Sequence, residues 1–322
     1  MKNIRIIGVG HKPAETCVTN DMLSEIVDTN DEWITTRTGI KTRYFSENKN
    51  TSELGYEAAL NAIKDAGIDK TEIEAIIVAT MTPDNAMPST ACLIQEMLGL
   101  NDQKIMAFDM NAACNGFISA LQVGSSLLGR FKTVLVVGAE TNSKILDFAD
   151  RSTCVLFGDG AGAAVLRYEE CEKETFMYSN SMGDNKNVLT CKNNGLTPLM
   201  TSNRAVNNYM TMQGNDVFRF AIRVMEEAIV EVLKESNLTI DDIDCIIPHQ
   251  ANIRIIKHVA RSMNLPMEKV FVNLDKYGNT SSASIGIALS EAKAQEVIKE
   301  NDKVILVGFG GGFTYSSYLY QF

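Results

Sequence analysis

"KIMAFDMNAACNGFISAL", beginning at Lys104, and "KVFVNLDKYGNTSSASIGIAL", beginning at Lys269, are two stretches of the same type at an offset of 269 − 104 = 165 in the chain. Each pattern predicts an apolar strand, a turn and a helix rich in small residues. A segment with the 3.6-residue apolar period of a helix lies upstream of each, "LGYEAALNAIKDAGI" (Leu54–Ile68) and "FRFAIRVMEEAIVEVLKESNL" (Phe218–Leu238). Segments that match in type and order indicate an internal repeat.

Two pairs of apolar strands extend this repeat. "IEAIIVAT" at Ile73 matches "IDCIIPHQ" at Ile243, and "VLVVGAE" at Val134 matches "VILVGFG" at Val304; both offsets are 170 (243 − 73 and 304 − 134). Continuous apolar strands that alternate with helices are typical of parallel sheets covered on both faces. We therefore expect an α/β protein of two duplicated halves, residues 1–170 and 171–322, with mainly parallel mixed sheets. On the offset of the first pair of stretches, Cys114 corresponds to Asn279.

The composition of the chain argues against several classes of function. Hydrophobic residues are 45% and charged residues 22% of the 322-residue chain, as in a folded globular protein. A net charge of −10 disfavours nucleic acid as a partner, because binding phosphates requires clustered lysine and arginine. We see no apolar stretch long enough to span a membrane and no signal peptide. The seven cysteines are odd in number and form no CxxC pair, which argues against disulfides and zinc. We expect a cytoplasmic protein without a metal.

Cys114 is the candidate nucleophile. It follows a predicted strand and lies in the first turn of a predicted helix, where the helix dipole favours the thiolate. Free cysteines are also among the most buried residue types, so the residues alone leave reaction and packing about equally supported. The other six cysteines are predicted to be packing residues: Cys17, Cys92, Cys154, Cys171, Cys191 and Cys245.

His249 and Asn279 are the candidate partners of Cys114. His249 ends an apolar strand, whereas His258 lies in a helix and His11 in an N-terminal loop without a predicted partner. Asn279 stands in "YGNTSSAS", where helix capping is an alternative role. A papain-like protease has the same Cys, His, Asn order, and the first gap here, 249 − 114 = 135, is similar to the one in that family. The sequence "NAACNGF" around Cys114 does not fit that family.

The glycine-rich "FGDGAGA" (Phe157–Ala163) is not a phosphate loop. Its spacing fits neither GxxxxGK[ST] nor GxGxxG. We predict a turn between two strands, "STCVL" and "AAVL", and no bound cofactor.

The chain resembles the β-ketoacyl-acyl-carrier-protein synthase III family, the initiating ketosynthases of bacterial fatty acid synthesis within the thiolase-like superfamily. The resemblance rests on motifs in family order over nearly the whole chain: "NDEWITTRTGIKTRYF", "MPSTACLIQEMLG", "NAACNGF", "FGDGAGAAVL", "MQGNDVF", "HQANIRII", "YGNTSSAS" and "GFGGGFTY". It implies a layered αβαβα fold and an acyltransferase. Two positions depart from the family pattern, Asn115 beside the cysteine and Tyr315 in place of a common Trp.

The resemblance also implies a reaction. Cys114 would take an acyl group from acyl-CoA, by default acetyl-CoA. His249 and Asn279 would then stabilise the enolate formed when malonyl-acyl-carrier protein loses carbon dioxide. The backbone N–H groups of Cys114 and Gly311 would form an oxyanion hole. Coenzyme A thioester and carrier-bound malonyl phosphopantetheine are thus substrates rather than resident cofactors.

Binding residues follow from the same resemblance. Trp33 and Arg151 would enclose the CoA adenine, with Arg37 near its phosphates. The arm would be lined by Met212, Asn215, Phe218, Ala251 and Asn252.

Two surfaces are assigned to protein partners. Arg254, Lys257 and Arg261 share one helix face, which would dock an acidic carrier protein; a solvated face is the alternative. Met87 would reach across a homodimer interface to close the partner's acyl pocket. Another thiolase-superfamily ketosynthase of polyketide or secondary metabolism, with a different primer, is the alternative function.

Overall fold

The computed structural model describes residues 1–184, 186–192 and 209–322. Its strands are β1 (Ile4–Pro13), β2 (Thr16–Thr19), β3 (Thr42–Phe45), β4 (Ala75–Ala79), β5 (Met106–Met110), β6 (Thr133–Glu140), β7 (Gly160–Tyr168), β8 (Phe176–Ser181), β9 (Leu189–Cys191), β10 (Met210–Met212), β11 (Cys245–Pro248), β12 (Lys303–Gly310) and β13 (Thr314–Gln321). Its helices are α1 (Asn20–Ser24), α2 (Asp31–Thr38), α3 (Thr51–Ala66), α4 (Thr90–Met97), α5 (Gly116–Leu127), α6 (Gly214–Ser236), α7 (Ile253–Ser262), α8 (Leu274–Tyr277) and α9 (Ala283–Ala294). Both long helices predicted from their apolar period are present, as α3 and α6.

Two larger sheets repeat one topology. The first has the order β1-β7-β6-β4-β5 and the second the order β11-β12-β13-β8. The pairs β4–β6 and β11–β12 are parallel, and the pairs β6–β7 and β12–β13 are antiparallel. The predicted duplication is therefore confirmed for the matched strands β4 and β11 and for β6 and β12. The first sheet comes from within residues 1–170 and the second from within residues 171–322, which supports a division of the chain at that point.

The second half lacks one predicted strand. The stretch after Lys269 should match β5, but only an isolated bridge joins Val270 to Ile246. A 3₁₀ turn at Met267–Lys269 and helix α8 flank this stretch and leave four residues between them. These four residues make the isolated bridge but no continuous ladder with β11, although the Phe271 N–H still donates to the Ile246 carbonyl at 2.9 Å.

Parallel pairs do not predominate in these mixed sheets. In the first sheet two of the four pairings are parallel, and β7 is antiparallel to both of its neighbours. Apolar content identifies a strand buried on both faces, whatever the direction of its neighbour. The continuous apolar runs therefore predicted correctly that the strands are buried. The share of strand pairings that are parallel is smaller than we expected from them.

Five layers alternate through the molecule. Helices α3 and α4 cover the first sheet. Helices α5 and α9 lie between the two sheets and contact both. Helix α6 covers the second sheet, and α7 packs on α6. The middle layer approaches the sheet closely, since a Cβ on Gly286 of α9 would lie 2.9 Å from the Cα of Gly162 in β7. Only glycine at both positions permits this approach. The N-termini of α5 and α9 are thereby held beside the strand ends.

One predicted strand pair is wrong. "STCVL" (Ser152–Leu156) forms turns instead of a strand, whereas "AAVL" belongs to β7. The Leu156 and Gly158 backbone groups bond instead to Asn279, whose N–H donates to the Leu156 carbonyl at 2.8 Å and whose carbonyl accepts from the Gly158 N–H at 3.0 Å. The glycine-rich segment thus fixes a residue of the other half.

Candidate active site

Cys114 lies where β5 passes into α5. It belongs to a 3₁₀ turn, Ala113–Asn115, that leads directly into the helix, and Ala113 has a φ of 47°. A left-handed alanine is uncommon and turns the chain sharply before the thiol. Cys114 is 7% exposed and lines a cleft of about 840 Å³.

Burial dominates the ionisation of this thiol. The pKa of Cys114 is raised to about 12, chiefly because the buried site disfavours the charged form, and the charge of Glu140 adds to the effect. A hydrogen bond with Ser281 and the residue's own N–H act in the opposite direction. The helix terminus alone predicted a thiolate. In the structure, burial of the sulfur opposes that effect and favours the thiol form.

The predicted oxyanion hole lies against this turn. A Cβ on Gly310 would lie 2.8 Å from the amide nitrogens of both Cys114 and Asn115, so the end of β12 packs directly on the turn. Gly311 lines the same cleft as Cys114. In residues 1–184, 186–192 and 209–322, neither the Cys114 N–H nor the Gly311 N–H donates to the backbone of another residue. Both donors can therefore serve an oxyanion.

His249 follows β11 and is held by the first turn of α9. Its Nδ1 lies 3.0 Å from the Ser284 hydroxyl, which also accepts from the Gln250 N–H at 2.9 Å. Among the described residues, Nδ1 is the only acceptor within hydrogen-bond distance of the Ser284 hydroxyl, so we assign the donor role to Ser284 and the imidazole proton to Nε2. Burial lowers the pKa of His249 to about 3. This histidine is a neutral hydrogen-bond donor.

Asn279 is oriented to donate as well. Its Oδ1 accepts from the Ser281 N–H at 2.9 Å, so its two amide protons remain available. The capping alternative does not hold for α9, whose N-cap is Ser282. Asn279 is 6% exposed and bridges to Phe157, which lines the cleft with Cys114.

Contacts connect the surroundings of the three candidates. Asn279 Oδ1 accepts from the Ser281 N–H, and the Ser281 side chain is one of the groups that lower the pKa of the Cys114 thiol. The ring of His249 lies 5.3 Å from that of Phe309, the residue before Gly310. The end of β12, in the second half, therefore packs on the turn that holds Cys114 at the end of β5.

The structural counterpart of Cys114 is Ser282, and the predicted match to Asn279 is wrong. Ala113 and Ser281, with φ values of 47° and 51°, each stand one residue before these positions at the start of a central helix. The offset between these two residues is 281 − 113 = 168, whereas matching the strands that precede them gave an offset of 165. The second half has the additional helix α8 before its central helix α9. An offset that matches the strands therefore does not match α5 with α9.

Sequence reasoning missed Glu140, the last residue of β6. It is fully buried and accepts from the Thr82 hydroxyl at 2.5 Å, the Ser282 hydroxyl at 2.8 Å and the Thr82 N–H at 3.1 Å. Burial raises the pKa of Glu140, and these hydrogen bonds oppose that rise. The signal was present, since "VLVVGAE" ends a fully apolar strand in a carboxylate.

The predicted nucleotide site is a cluster around Trp33. The guanidinium carbons of Arg37 and Arg151 lie 4.6 Å and 5.2 Å from the ring centre. Arg151 also bonds to the Asp28 carboxylate at 3.1 Å. A base between Trp33 and Arg151 needs about 3.5–4.0 Å on each side, so Arg151 has to move to admit one.

The predicted arm residues lie on β10, α6 and the start of α7. Met212, Phe218, Ala251 and Asn252 are half-buried, and Asn215 is exposed. The Arg254 guanidinium lies 5.7 Å from the Phe218 ring. Asn252 also caps α7 by accepting from the Arg254 N–H at 2.9 Å, a role the sequence reasoning did not assign.

The two protein-partner surfaces are exposed. Arg254, Lys257 and Arg261 all face outward from α7. Met87 is 84% exposed, on the loop whose preceding residues 83–86 line the cleft.

Several other residues differ from expectation. Cys154 and Cys245 are buried as predicted, but Cys17, Cys92 and Cys191 are exposed and Cys171 is half-buried. His11 belongs to β1 and bonds to the Ser290 hydroxyl at 2.8 Å, so it has both a strand and a partner. Among the helices that the structure describes, none combines the length and apolar character needed to cross a membrane.

Known proteins match this fold and this chain closely. The family model described as 3-Oxoacyl-[acyl-carrier-protein (ACP)] synthase III matches residues 108–185, and the one for its C terminal matches residues 233–322. Beta-ketoacyl-[acyl-carrier-protein] synthase III of Clostridium acetobutylicum is 47% identical, with 98% of each chain covered. The protein of that name from Clostridium perfringens is also 47% identical, with 99% of each covered. The crystal structure of 3-oxoacyl-[acyl-carrier-protein] synthase III from Aquifex aeolicus has a TM-score of 0.92 at 42% identity and covers 99% of this chain and 100% of its own.

Five layers built from two similar halves are the thiolase-like fold, and the class of protein is an acyltransferase. The chain belongs to the 3-oxoacyl-[acyl-carrier-protein] synthase III family.

Proposed function

We propose that Cys114 carries the acyl group in the reaction of this family, with His249, Asn279 and Gly311 as hydrogen-bond donors. The reaction is the condensation of an acyl-CoA primer with malonyl-acyl-carrier protein, which initiates fatty acid synthesis. The observation that carries the residue assignment is the position of Cys114, a buried thiol that lines the cleft together with Gly311. Acetyl-CoA is the default primer.

Acylation needs the sulfur as an anion at the moment of attack. The sulfur adds to the acyl-CoA carbonyl, and the oxygen of that carbonyl becomes negatively charged. The Cys114 and Gly311 amides would bind this oxygen. The carbonyl then re-forms as the bond to CoA sulfur breaks, which leaves a thioester on Cys114. Loss of one such donor typically costs about 2.7–4 kcal/mol of transition-state stabilisation.

Condensation would use the neutral donors. When malonyl thioester loses carbon dioxide, negative charge develops on its carbonyl oxygen. The Nε2–H of His249 and the amide of Asn279 can both donate to that oxygen, and neither has to lose a proton. The resulting carbanion attacks the acyl-cysteine, and Cys114 leaves. Because the pKa of His249 is far below neutral, this step is expected to show no histidine titration near pH 7.

The substrates both carry a phosphopantetheine arm, for which we propose the path from Trp33 past Phe218 to Asn252. Basic residues border this path and suit CoA phosphates. Exposed Lys257 and Arg261 stand beside it on α7 and suit an acidic carrier protein.

A homodimer is also proposed, with Met87 contributing to the acyl pocket of the partner subunit. An 84% exposed methionine beside a substrate cleft supports this arrangement. We further propose a cytoplasmic location, consistent with the absence of CxxC pairs in the sequence.

Intact-mass spectrometry tests the assignment. The protein is mixed with acetyl-CoA and with longer and branched acyl-CoAs, and Cys114→Ser is treated in parallel. We expect an acyl adduct on the wild type that maps to the Cys114 peptide and is absent from the variant. No adduct with any primer, or an adduct on another residue, would refute the assignment.

A further inference from the structure

The motif "NDEWITTRTGIKTRYF" contains an arginine that has no role so far in the reaction or at the predicted nucleotide site. Arg43, on β3, is fully buried. Both hydrogen bonds that its guanidinium makes with described residues go to backbone carbonyls, at 2.8 Å from Nη2 to Val155 and at 3.3 Å from Nη1 to Val18. Burying a charged group is costly, and neutral carbonyls offset that cost less completely than a carboxylate would. The shorter bond fixes the position of the Val155 carbonyl.

Val155 begins the short segment to which Asn279 is bonded. The Leu156 carbonyl accepts from the Asn279 N–H at 2.8 Å, and the Gly158 N–H donates to the Asn279 carbonyl at 3.0 Å. Phe157, between them, makes the bridge to Asn279 and lines the cleft. The backbone on both sides of Asn279 is thus bonded to this segment, so the place of the Asn279 side chain in the site depends on where the segment lies.

Arg43 also packs against both of the segments that meet at this bridge. A Cβ on Gly158 would lie 3.1 Å from the Cβ of Arg43, and a Cβ on Gly278, the residue before Asn279, would lie 3.2 Å from it. The absence of side chains at both glycines lets the stem of Arg43 lie against each segment. One buried arginine therefore contacts the two pieces of chain whose backbones hold Asn279.

The two neighbours of Arg43 on β3 hold the same pieces of chain further from the bridge. The Thr42 hydroxyl donates to the Lys276 carbonyl at 2.7 Å, and the Tyr44 carbonyl accepts from the Asp159 N–H at 2.7 Å. Three consecutive residues of β3 therefore face the bridge, with Arg43 in the middle.

We propose that Arg43 is a positioning residue for Asn279: its guanidinium fixes the Val155 carbonyl and so holds the Asn279 amide where it donates to the developing enolate oxygen. Arg43 acts through the backbone and touches no substrate. The inference rests on the proposed role of Asn279 in condensation. It predicts different effects on the two half-reactions, because the proposed donors in acylation are the amides of Cys114 and Gly311.

Single-turnover kinetics of Arg43→Lys test this role. Lysine keeps the charge but lacks the planar fork with which arginine reaches two carbonyls. The Asn142 amide still donates to the Gly158 carbonyl at 2.6 Å, so we expect Asn279 to shift rather than to be released. Condensation of a preformed acetyl-enzyme with saturating malonyl-acyl-carrier protein should slow by about tenfold. Acylation by saturating acetyl-CoA should stay within about twofold of the wild-type rate.

A double-mutant cycle with Asn279→Ala separates positioning from a general effect on the fold. Two residues that act through one group have effects that are not additive. Once the Asn279 side chain is absent, Arg43→Lys should slow condensation by less than about a further twofold. An equal loss in both backgrounds would overturn the inference. So would an unchanged condensation rate in Arg43→Lys, or an acylation rate that falls as much as the condensation rate.

Arg167→Lys is the matched control. Arg167 pairs with Thr133 at one end of the β6–β7 ladder, whereas Glu140 and Gly160 pair at the end near the site. Its guanidinium donates to the Glu72 carboxylate at 2.7 Å. Both half-reactions should keep their wild-type rates in this variant, and a condensation loss equal to that of Arg43→Lys would also overturn the inference.

Two further features keep the test decisive. Should Arg43→Lys fail to fold, as judged by thermal unfolding, Arg43→Met carries the test, because it removes both hydrogen bonds and buries no charge. Asn279→Ala alone also tests the proposed function. A wild-type condensation rate in Asn279→Ala would refute the proposed role of Asn279, whereas slow condensation in Asn279→Ala with an additive loss from Arg43→Lys would refute only the positioning role of Arg43.

Discussion

The two halves share their strand pairing and differ in what stands at the strand ends. β6 ends in Glu140, and its counterpart β12 ends in Gly310, at the same offset that relates Val134 to Val304. By that offset, Ala79 at the end of β4 corresponds to His249 after β11. At each of these matched positions, one half has a titratable side chain and the other has a small residue.

This complementarity follows from the close packing of the middle layer. The two central helices bring both sets of strand ends to one place, where there is room for one set of side chains. A Cβ on Gly310 would collide with the Cys114 turn, and Gly116 packs against the Ala79 side chain, where its own Cβ would lie 2.9 Å from that of Ala79. The two halves therefore share one framework, and the small residue at a strand end of one half leaves space for the neighbouring segment of the other.

The largest expected effect comes from filling the space that Gly310 leaves. In Gly310→Ala the new Cβ would lie 2.8 Å from Ala112 O and from the amide nitrogens of Cys114 and Asn115, all backbone atoms that cannot rotate away. We expect acylation to fall by more than about 100-fold because both oxyanion donors shift. We also expect a stability loss of about 1–3 kcal/mol from overpacking. Adduct formation and thermal unfolding measure the two effects.

Gly183→Ala is the matched control, since its Cβ would meet nothing within 4 Å. It should acylate at the wild-type rate. Normal acylation of Gly310→Ala would contradict the close packing on which the comparison of the two halves depends.

The second prediction tests whether Asn279, in the second half, supplies a hydrogen bond during condensation. Asn279→Ala removes a donor, and we expect condensation to slow by about 10²–10³-fold. Asn279→Asp keeps the Ser281 N–H bond but adds a negative charge beside the developing enolate, so its loss should be larger. Product formation from a preformed acyl-enzyme measures this step, while mass analysis follows the adduct. Loss of the adduct itself in Asn279→Ala would assign this residue to acylation instead.

Much of the molecule could be predicted from the sequence. Apolar periodicity located α3 and α6, and repeated order revealed both sheets, because these features depend on local burial. Cys114 and His249 were found because they follow apolar strands. The donor state of His249 could not be predicted, since it depends on Ser284, which lies far along the chain in another element. Glu140 was visible as a carboxylate at the end of an apolar strand, but its hydrogen-bond donors come from two other segments, which only the fold brings to it.

The smallest expected effect concerns the exposed basic face of α7, which belongs to the second half. Lys257→Glu reverses one exposed charge, and Lys257 is chosen because Arg254 also contacts the Phe218 ring. We expect the KM for malonyl-carrier protein to rise about 3–10-fold at low salt and to converge on the wild-type value as salt increases. Acylation by acetyl-CoA should be unchanged. Lys64→Glu makes the same charge change on α3, in the outer layer against the first sheet. An equal rise in KM for Lys64→Glu would mean that net charge, and not the α7 face, attracts the carrier.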